Sequence, residues 1–180
     1  MLKTQNSDEV EFPHCPKRAN IQKLTITNVK IIFRGNKMLK TQKINIVQEF
    51  DAPVDKVFAV LSEHENLSKL FAPAKVTRIS NGKDARNGVG SARKMSMPFT
   101  PSFVETNLVY KENELIEYAI TSGISPIKGH RGVMKFIDLG NNRTRLDYTI
   151  SFKGRVPFLG PIIKAALQNG VSRGLKKLKF

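Results

Sequence analysis

The chain of 180 residues contains no tryptophan and a single cysteine, Cys15. One cysteine cannot form an intrachain disulfide, which fits a reducing compartment. No apolar run approaches the roughly 18 residues that a membrane-spanning helix needs. The first residues also lack the apolar stretch of a secretory signal. From these absences we expect a cytoplasmic protein.

Acidic residues are scarce: 15 Asp and Glu stand against 30 Lys and Arg, for a net charge of +15. Residues 1–37 hold only seven of the cations, so the rest of the chain is itself basic. A solvated, lysine-rich surface is the simplest explanation. The alternative is an anionic partner such as nucleic acid, lipid headgroups or an acidic ligand.

The pentapeptide MLKTQ occurs twice, at residues 1–5 and 38–42. The two copies continue differently, which argues against a structural repeat. We therefore place the compact domain at residues 38–180 and treat residues 1–37 as an N-terminal extension. That extension is either poorly ordered, an upstream stretch from a misassigned start, or a real strand or regulatory arm.

The pattern after Lys43 predicts one strand, two short helices, six further strands and a long C-terminal helix. Asp51 is the expected N-cap of the first helix, and Pro53 fits its first turn. The second helix is expected near residues 67–71. The six further strands are expected at residues 75–80, 91–97, 103–110, 115–121, 130–139 and 145–152.

The terminal helix is amphipathic, with Pro161 in its first turn and apolar residues at helical spacing as far as Leu178. Such a helix must pack its apolar stripe against the apolar face of a sheet. We expect an α+β fold in which a curved, mostly antiparallel seven-stranded sheet wraps around this helix. A cavity can remain between the two.

These pieces, in this order, resemble the START-like (SRPBCC) superfamily with its helix-grip fold, also called birch-pollen-allergen-like, and within it the polyketide cyclase/dehydrase branch. The resemblance covers residues 43–180. It rests on FDAPVDKVFAVLSEHENLSKLFAP, on GVGSAR, on Glu105 and on RTRLDYTISF. Many relatives have a tryptophan where this chain has Leu70-Phe71. The resemblance implies a cavity for an apolar or aromatic molecule, but it does not fix a reaction.

Arg93 shares a strand face with Met95 and Met97, so it would place a cation in an apolar pocket. Such a cation needs a carboxylate partner or an anionic ligand, and Glu105 on the next strand is the expected carboxylate. The candidates for catalysis are Arg93, Glu105, Tyr118 and His130. The full set expected to bind a ligand is Phe71, Arg93, Met95, Met97, Glu105, Tyr118, Ile120, Met134, Tyr148, Ile163, Leu167, Gly170 and Gly174.

Gly170 and Gly174 lie one turn apart on the inner face of the helix. They either open room for a ligand or permit close packing of helix and sheet. His130 would act as an acid or base near neutral pH if it is catalytic, and a structural role is the alternative. We expect neither a metal site nor a cofactor.

Three functions stay open at this point. The first is a carrier or binding module for a small hydrophobic molecule or lipid, and the second is a cyclase or dehydratase. The third is association with ribosomes or RNA. For the basic face of the helix, we rank a solvated surface first, contact with anionic lipid second and RNA third. Its cations are Lys164, Arg173, Lys176, Lys177 and Lys179.

Overall fold

The computed structural model describes residues 39–180, so the expectations for residues 1–37 lie outside the described residues. The elements follow in the order that the sequence predicts, with one turn of 3-10 helix at His64–Asn66 between the first two helices. The helices are α1 (Val54–Ser62), α2 (Leu67–Leu70) and α3 (Leu159–Lys176). The strands are β1 (Gln42–Phe50), β2 (Lys75–Ser80), β3 (Ala92–Ser96), β4 (Phe103–Lys111), β5 (Leu115–Gly123), β6 (Ile127–Gly140) and β7 (Arg143–Gly154).

All seven strands form one sheet in the order β1-β7-β6-β5-β4-β3-β2, and every neighbouring pair is antiparallel. β7 shows the reason most plainly, because from Thr144 to Phe152 every second residue is buried. This period of two directs one face of the strand to the core and the other to solvent. The inner face packs against α3, which confirms the α+β helix-grip fold.

Two local expectations need correction. Asp51 does not cap α1: its side chain is fully exposed, and the N-cap residue is Pro53, which has no side chain able to cap. β6 begins at Ile127, three residues earlier than expected, because Ile127 pairs with Gly154 of β7 across an irregular stretch of the ladder. Pro161 lies in the first turn of α3, as expected.

The two ends of the sheet differ in what covers them. We call the end formed by the β3–β4, β5–β6 and β7–α3 loops (residues 97–102, 124–126 and 155–158) the open end. The opposite end, formed by the β1–α1, β2–β3, β4–β5 and β6–β7 connections, is the closed end. There Phe58 of α1 packs edge-to-face on Phe136 and Tyr110.

Helix α3 is unevenly buried along its length. Val171 and Leu175 in its second half are buried in the core, whereas Ile163 and Leu167 in its first half are only partly covered. Between Ile163 and Leu167 the helix therefore stands off the sheet and leaves space beneath it. Within residues 39–180, no helix combines the length and apolarity needed to cross a bilayer.

Candidate functional site: a cavity between the sheet and α3

A cavity of about 430 Å³ lies between α3, along residues 163–173, the segment 71–74 and the inner face of the sheet. The sheet contributes residues of β3, β4, β6 and β7, so four strands and the helix enclose one space. Its walls are mainly apolar, with side chains such as Met95, Phe103 and Ile150. On the side of the sheet, the site is therefore built from the inward-facing positions of these four strands.

The cavity-lining residues that are also exposed lie on the segment 71–74 and on the outer side of α3. Pro73 is exposed on one side, and Ala166, Asn169 and Arg173 are exposed on the other. Arg173 is held in place by its own helix, because its Nε donates to the carbonyl of Asn169 at 3.2 Å. A ligand that enters between these exposed residues would pass small apolar side chains and one cation.

Two buried ionisable side chains line the cavity, Glu105 on β4 and His130 on β6, near the buried hydroxyl of Ser125. They are 4% and 8% exposed. His130 Nε2 lies 3.8 Å from Glu105 Oε1, which is longer than a hydrogen bond. His130 Nδ1 has no hydrogen-bond partner within the part of the chain that the structure describes. The pair therefore keeps unused hydrogen-bonding capacity beside the cavity.

Arg93 on β3 neutralises Glu105 from the neighbouring strand, and so forms the ion pair that the sequence predicts. The two residues are cross-strand partners, and Arg93 Nε donates to Glu105 Oε2 at 2.9 Å. Arg93 is 1% exposed, and its Nη1 donates to Asn107 Oδ1 at 3.3 Å. Its guanidinium also lies 4.3 Å from the centre of the Tyr118 ring. These contacts compensate a charge that would otherwise be costly to bury.

The imidazole of His130 is neutral at neutral pH. Burial lowers its pKa below the usual value; the carboxylate of Glu105 opposes this effect, and the charge of Arg93 reinforces it. In a neutral imidazole one ring nitrogen donates a hydrogen bond and the other accepts one. His130 can therefore offer a ligand either kind of contact.

Tyr118 and Tyr148 are buried in the packed part of the sheet, next to the Arg93–Glu105 ion pair. Their hydroxyl groups share a hydrogen bond, and burial raises the pKa of both, so neither releases a proton at neutral pH. The ring of Tyr118 lies over Gly132 of β6, where an added Cβ would come within 2.2 Å of the ring. A glycine is therefore required at this position.

The structure brings seven of the thirteen predicted ligand-binding residues to the cavity wall, together with the catalytic candidate His130. The seven are Phe71, Met95, Met97, Glu105, Ile163, Leu167 and Gly170. The other six lie in the packed core or at its edge. They are Arg93, Tyr118, Ile120, Met134, Tyr148 and Gly174.

The two glycines of α3 have different surroundings. A Cβ added to Gly174 would lie 3.0 Å from backbone atoms of Leu70, so this glycine permits close packing of α3 on α2. A Cβ added to Gly170 would meet nothing within 4 Å, and Gly170 lines the cavity. Gly174 is thus closely packed, but against α2 and not against the sheet as expected, whereas Gly170 borders open space.

Sequence reasoning missed other parts of the lining. Phe103 and Ile150 have the same strand parity as Glu105 and Tyr148, so the alternation of β4 and β7 was a usable signal for both. The remaining residues come from loops, from the first position of β6 and from the exposed side of the helix, where no periodicity marks them. They are Ala72, Pro73, Ala74, Ser125, Pro126, Ile127, Ala166, Asn169 and Arg173.

The cations of α3 are spread along the helix. Lys164 is partly buried near its start, and Arg173 is exposed and lines the cavity. Lys176, Lys177 and Lys179 are exposed at the C-terminal end, near the closed end of the sheet. Among the described residues, no group of three or more His, Cys, Asp or Glu side chains is placed to hold a metal ion.

The curved sheet closed on a C-terminal helix, with a cavity between them, is the architecture of the START-like superfamily. Residues 41–179 match the family described as polyketide cyclase / dehydrase and lipid transport. This match covers most of the chain, and the protein belongs to that family. A search of curated proteins finds no match.

Solved structures share the fold at low sequence identity. A START superfamily protein from Mycobacterium smegmatis is 14% identical with a TM-score of 0.62, over 74% of this chain and 94% of that chain. The Zhui aromatase/cyclase from Streptomyces sp. R1128 is 17% identical with a TM-score of 0.57, over 75% and 87%. Norcoclaurine synthase from Thalictrum flavum is 15% identical with a TM-score of 0.53, over 92% and 99%. At such identities the likeness establishes the fold alone.

Proposed function

We propose that the protein binds a small, mainly apolar molecule in the cavity and carries it without transforming it. The observation that carries this proposal is the cavity itself, about 430 Å³ of space in an otherwise packed domain. Unfilled space lowers stability because the atoms around it lose dispersion contacts. Its volume falls within the range of small-molecule sites, and its apolar walls with a few polar groups follow the usual pattern.

The polar groups suggest which ligand fits. Glu105 Oε1 is an acceptor, while His130 Nδ1 donates or accepts according to its tautomer. A ligand hydroxyl could donate to Glu105 and also engage His130. A ligand carboxylate in the same place would face the charge of Glu105 at short range. We therefore propose an apolar or aromatic body that carries a hydroxyl or a similar neutral group at the end nearest this pair.

Native mass spectrometry of the purified full chain, compared with its denatured mass, is the direct test. We expect extra mass that disappears on denaturation, and its value would identify the class of ligand. The neutral probe N-phenyl-1-naphthylamine gives a second assay, because its fluorescence rises when it enters an apolar cavity. A protein that carries no extra mass and does not bind the probe would contradict the proposal.

Gly170→Leu gives a sharper version of the probe assay. The new side chain would grow into open space in the cavity, so we expect probe affinity to fall by about tenfold or more while the fold is retained. Gln168→Leu adds a similar side chain at an exposed position of the same helix and is the matched control. Equal affinity of both variants would place the probe outside the cavity.

A cyclase or dehydratase is the second candidate, and the His130–Glu105 pair is the observation that favours it. A neutral imidazole beside a carboxylate can take up and return a proton near neutral pH. In such an enzyme Arg93 would be a positioning residue, because it holds Glu105 through the 2.9 Å hydrogen bond. Tyr118 would support that arrangement from the packed side.

Turnover of a poly-β-ketone thioester mimic separates this candidate from the carrier. For an enzyme, we expect His130→Gln to keep ligand affinity within about threefold while lowering turnover by at least about a hundredfold. For a carrier, no substrate is consumed and His130→Gln changes affinity alone. Product analysis by mass spectrometry distinguishes the two outcomes.

A further inference from the structure

Five large apolar side chains project into solvent at the open end, and each is more than half exposed. We call this set the apolar rim. It consists of Phe99, Ile124, Val156, Phe158 and Ile162. Four of the five lie on the three loops, and Ile162 lies at the start of α3. Single exposed apolar residues are ordinary, but a group of neighbours marks an interaction surface.

The loops that carry the apolar rim touch one another. Arg155 Nε donates to the carbonyl of Ser125 at 2.7 Å, and its backbone N–H donates to the carbonyl of Pro126 at 3.0 Å. Gly123 lies so close to the β3–β4 loop that an added Cβ would be 2.6 Å from the carbonyl oxygen of Ser102. The rim therefore surrounds one end of the domain and is not scattered over its surface.

The two phenylalanines of the rim have unfavourable backbone conformations. Phe99 and Phe158 have φ values of 62° and 64°, and each follows a proline. A turn with proline followed by a residue at positive φ usually has Gly or Asn in that second place, because a bulky side chain is strained there. Residues in strained conformations are concentrated at functional sites.

The closed end supplies a direct comparison within the same chain. Its non-glycine residues at positive φ are Asn113, Asn141 and Asn142. Asparagine is the ordinary choice for such turns because it tolerates this conformation. Only at the open end does the described part of the chain place phenylalanine there.

The charges around the rim have one sign. The three loops of the open end contain no Asp or Glu. Next to them Lys128 and Lys153 face each other across β6 and β7, and both are exposed. Within residues 39–180 neither lysine has a carboxylate within 4.0 Å. Like charges in directly opposite positions repel, and an anionic partner would relieve this repulsion.

From these features we infer that the open end docks onto an anionic lipid surface, with the apolar rim inserted at the headgroup level and Lys128 and Lys153 against the headgroups. Aromatic and aliphatic side chains flanked by cations are what such an interface takes up. A second copy of this chain fits less well, because it would bring two basic ends together. The inference rests on the proposed function only in giving the surface a purpose, which is to bring the carrier to the lipid surface that supplies or receives its apolar ligand.

Another surface of the molecule could compete for the same lipid. Lys176, Lys177 and Lys179 lie at the far end of α3, where Phe180 packs against Phe50 at the closed end. They provide positive charge but sit at the end of the domain opposite to the rim. The two surfaces are therefore separable by mutation.

Co-sedimentation of the full chain with vesicles of equal parts phosphatidylglycerol and phosphatidylcholine tests the docking. We expect Phe99→Asn/Phe158→Asn to lower the partition coefficient by at least about tenfold, since two inserted rings are lost. Asparagine suits the positive φ at both sites, so thermal unfolding should show a fold at least as stable as the wild type. Val47→Asn/Leu139→Asn removes exposed apolar surface elsewhere and is the matched control.

The charge component is tested separately with Lys128→Gln/Lys153→Gln, for which we expect a loss of about fivefold to thirtyfold. Lys56→Gln/Lys111→Gln removes two exposed lysines at the closed end and should leave binding unchanged. Added salt should weaken binding of the wild type more than that of the lysine variant.

Three outcomes would overturn the inference. The first is that the phenylalanine variant binds the vesicles as well as the wild type does, with binding lost only in Lys176→Gln/Lys177→Gln/Lys179→Gln. The second is equal binding to vesicles of phosphatidylcholine alone. The third is a wild type that stays off the vesicles but forms a dimer that the rim variant lacks, as shown by light scattering. None of these assays needs a bound ligand, so docking can fail while native mass spectrometry still supports the carrier.

Discussion

At the closed end of the sheet, Phe58 packs edge-to-face on Phe136 and Tyr110, and α1 covers the strands beneath it. At the open end, Met97 and Ile163 are only partly covered, and they line a cavity of about 430 Å³. Both ends belong to the same strands and face the same helix. The short helices cause this difference. They fill the space between the sheet and α3 at the closed end but do not reach the open end, where only the first half of α3 covers the sheet.

This comparison separates stability from binding within a single core. Side chains at the closed end have neighbours on every side, so removing one leaves an unfilled hole. Side chains around the cavity already face empty space and have fewer contacts to lose. We therefore expect substitutions to cost most at the closed end and to affect ligand affinity most at the open end.

The largest expected effect is that of Phe58→Ala at the closed end. Loss of a ring that packs on two others should reduce the free energy of unfolding by about 4 kcal/mol. Ile163→Ala at the cavity should cost about 1 kcal/mol or less, since this side chain is partly covered. Urea unfolding measures both. Equal losses would mean that the cavity is filled or collapsed in solution.

The next effect concerns the ion pair between the packed core and the cavity. Arg93→Met leaves the buried carboxylate of Glu105 without its partner and should cost about 3 kcal/mol. Arg93→Met/Glu105→Gln removes both charges and should be more stable than the single variant. If the double variant is instead the less stable one in urea unfolding, the pair does not act as a unit.

The order of elements could be predicted from the sequence because strands and helices here follow simple periods. β7 alternates from Thr144 to Phe152 over nine residues, which leaves little choice of face. The ion pair of Arg93 and Glu105 was also predictable, because a cation on an apolar strand face needs a carboxylate. Caps and strand ends were not predictable to the residue, as Asp51 and Ile127 show, because they depend on tertiary contacts.

The cavity lining was only partly predictable, for a geometric reason. Alternation identifies the face of a strand on which a side chain lies but not how far along the strand the covering helices reach. Tyr118, Met134 and Tyr148 are on the expected inner face, yet they are buried in the packed core. Loop residues such as Pro73 and Ser125 line the cavity without any periodic signal.

A third test compares the two buried histidines in acid. Burial, followed by the charges of Arg93 and Arg78, lowers the pKa of His64 from 6.5 to about 3, while Glu65 opposes the shift. The unfolded chain therefore binds a proton more readily than the folded one, and stability declines as the pH falls from 6.5 towards 3. As the pH falls from 6.5 to about 5, we expect His64 to lower the free energy of unfolding by about 2 kcal/mol.

Urea unfolding across this pH range should show the decline in the wild type and a shallower slope in His64→Gln. The pKa of His130 is lowered too, so His130→Gln should also flatten the slope. A ligand in the cavity should shift the NMR signals of His130 and leave those of His64 unchanged. Protonation of folded His64 near pH 6.5 would contradict its burial at the closed end.

The smallest expected effect uses two glycines one turn apart on α3. Gly170→Ala should raise the free energy of unfolding by up to about 1 kcal/mol, because alanine favours the helix and its Cβ meets nothing within 4 Å. Gly174→Ala gains the same helix propensity, but its Cβ would lie 3.0 Å from the backbone of Leu70. Since backbone atoms yield little, we expect a net loss of about 1 kcal/mol. A gain in stability at both sites would mean that α3 is not packed closely on α2 at Gly174. The loosely covered part of α3 would then extend beyond Gly174 towards the closed end.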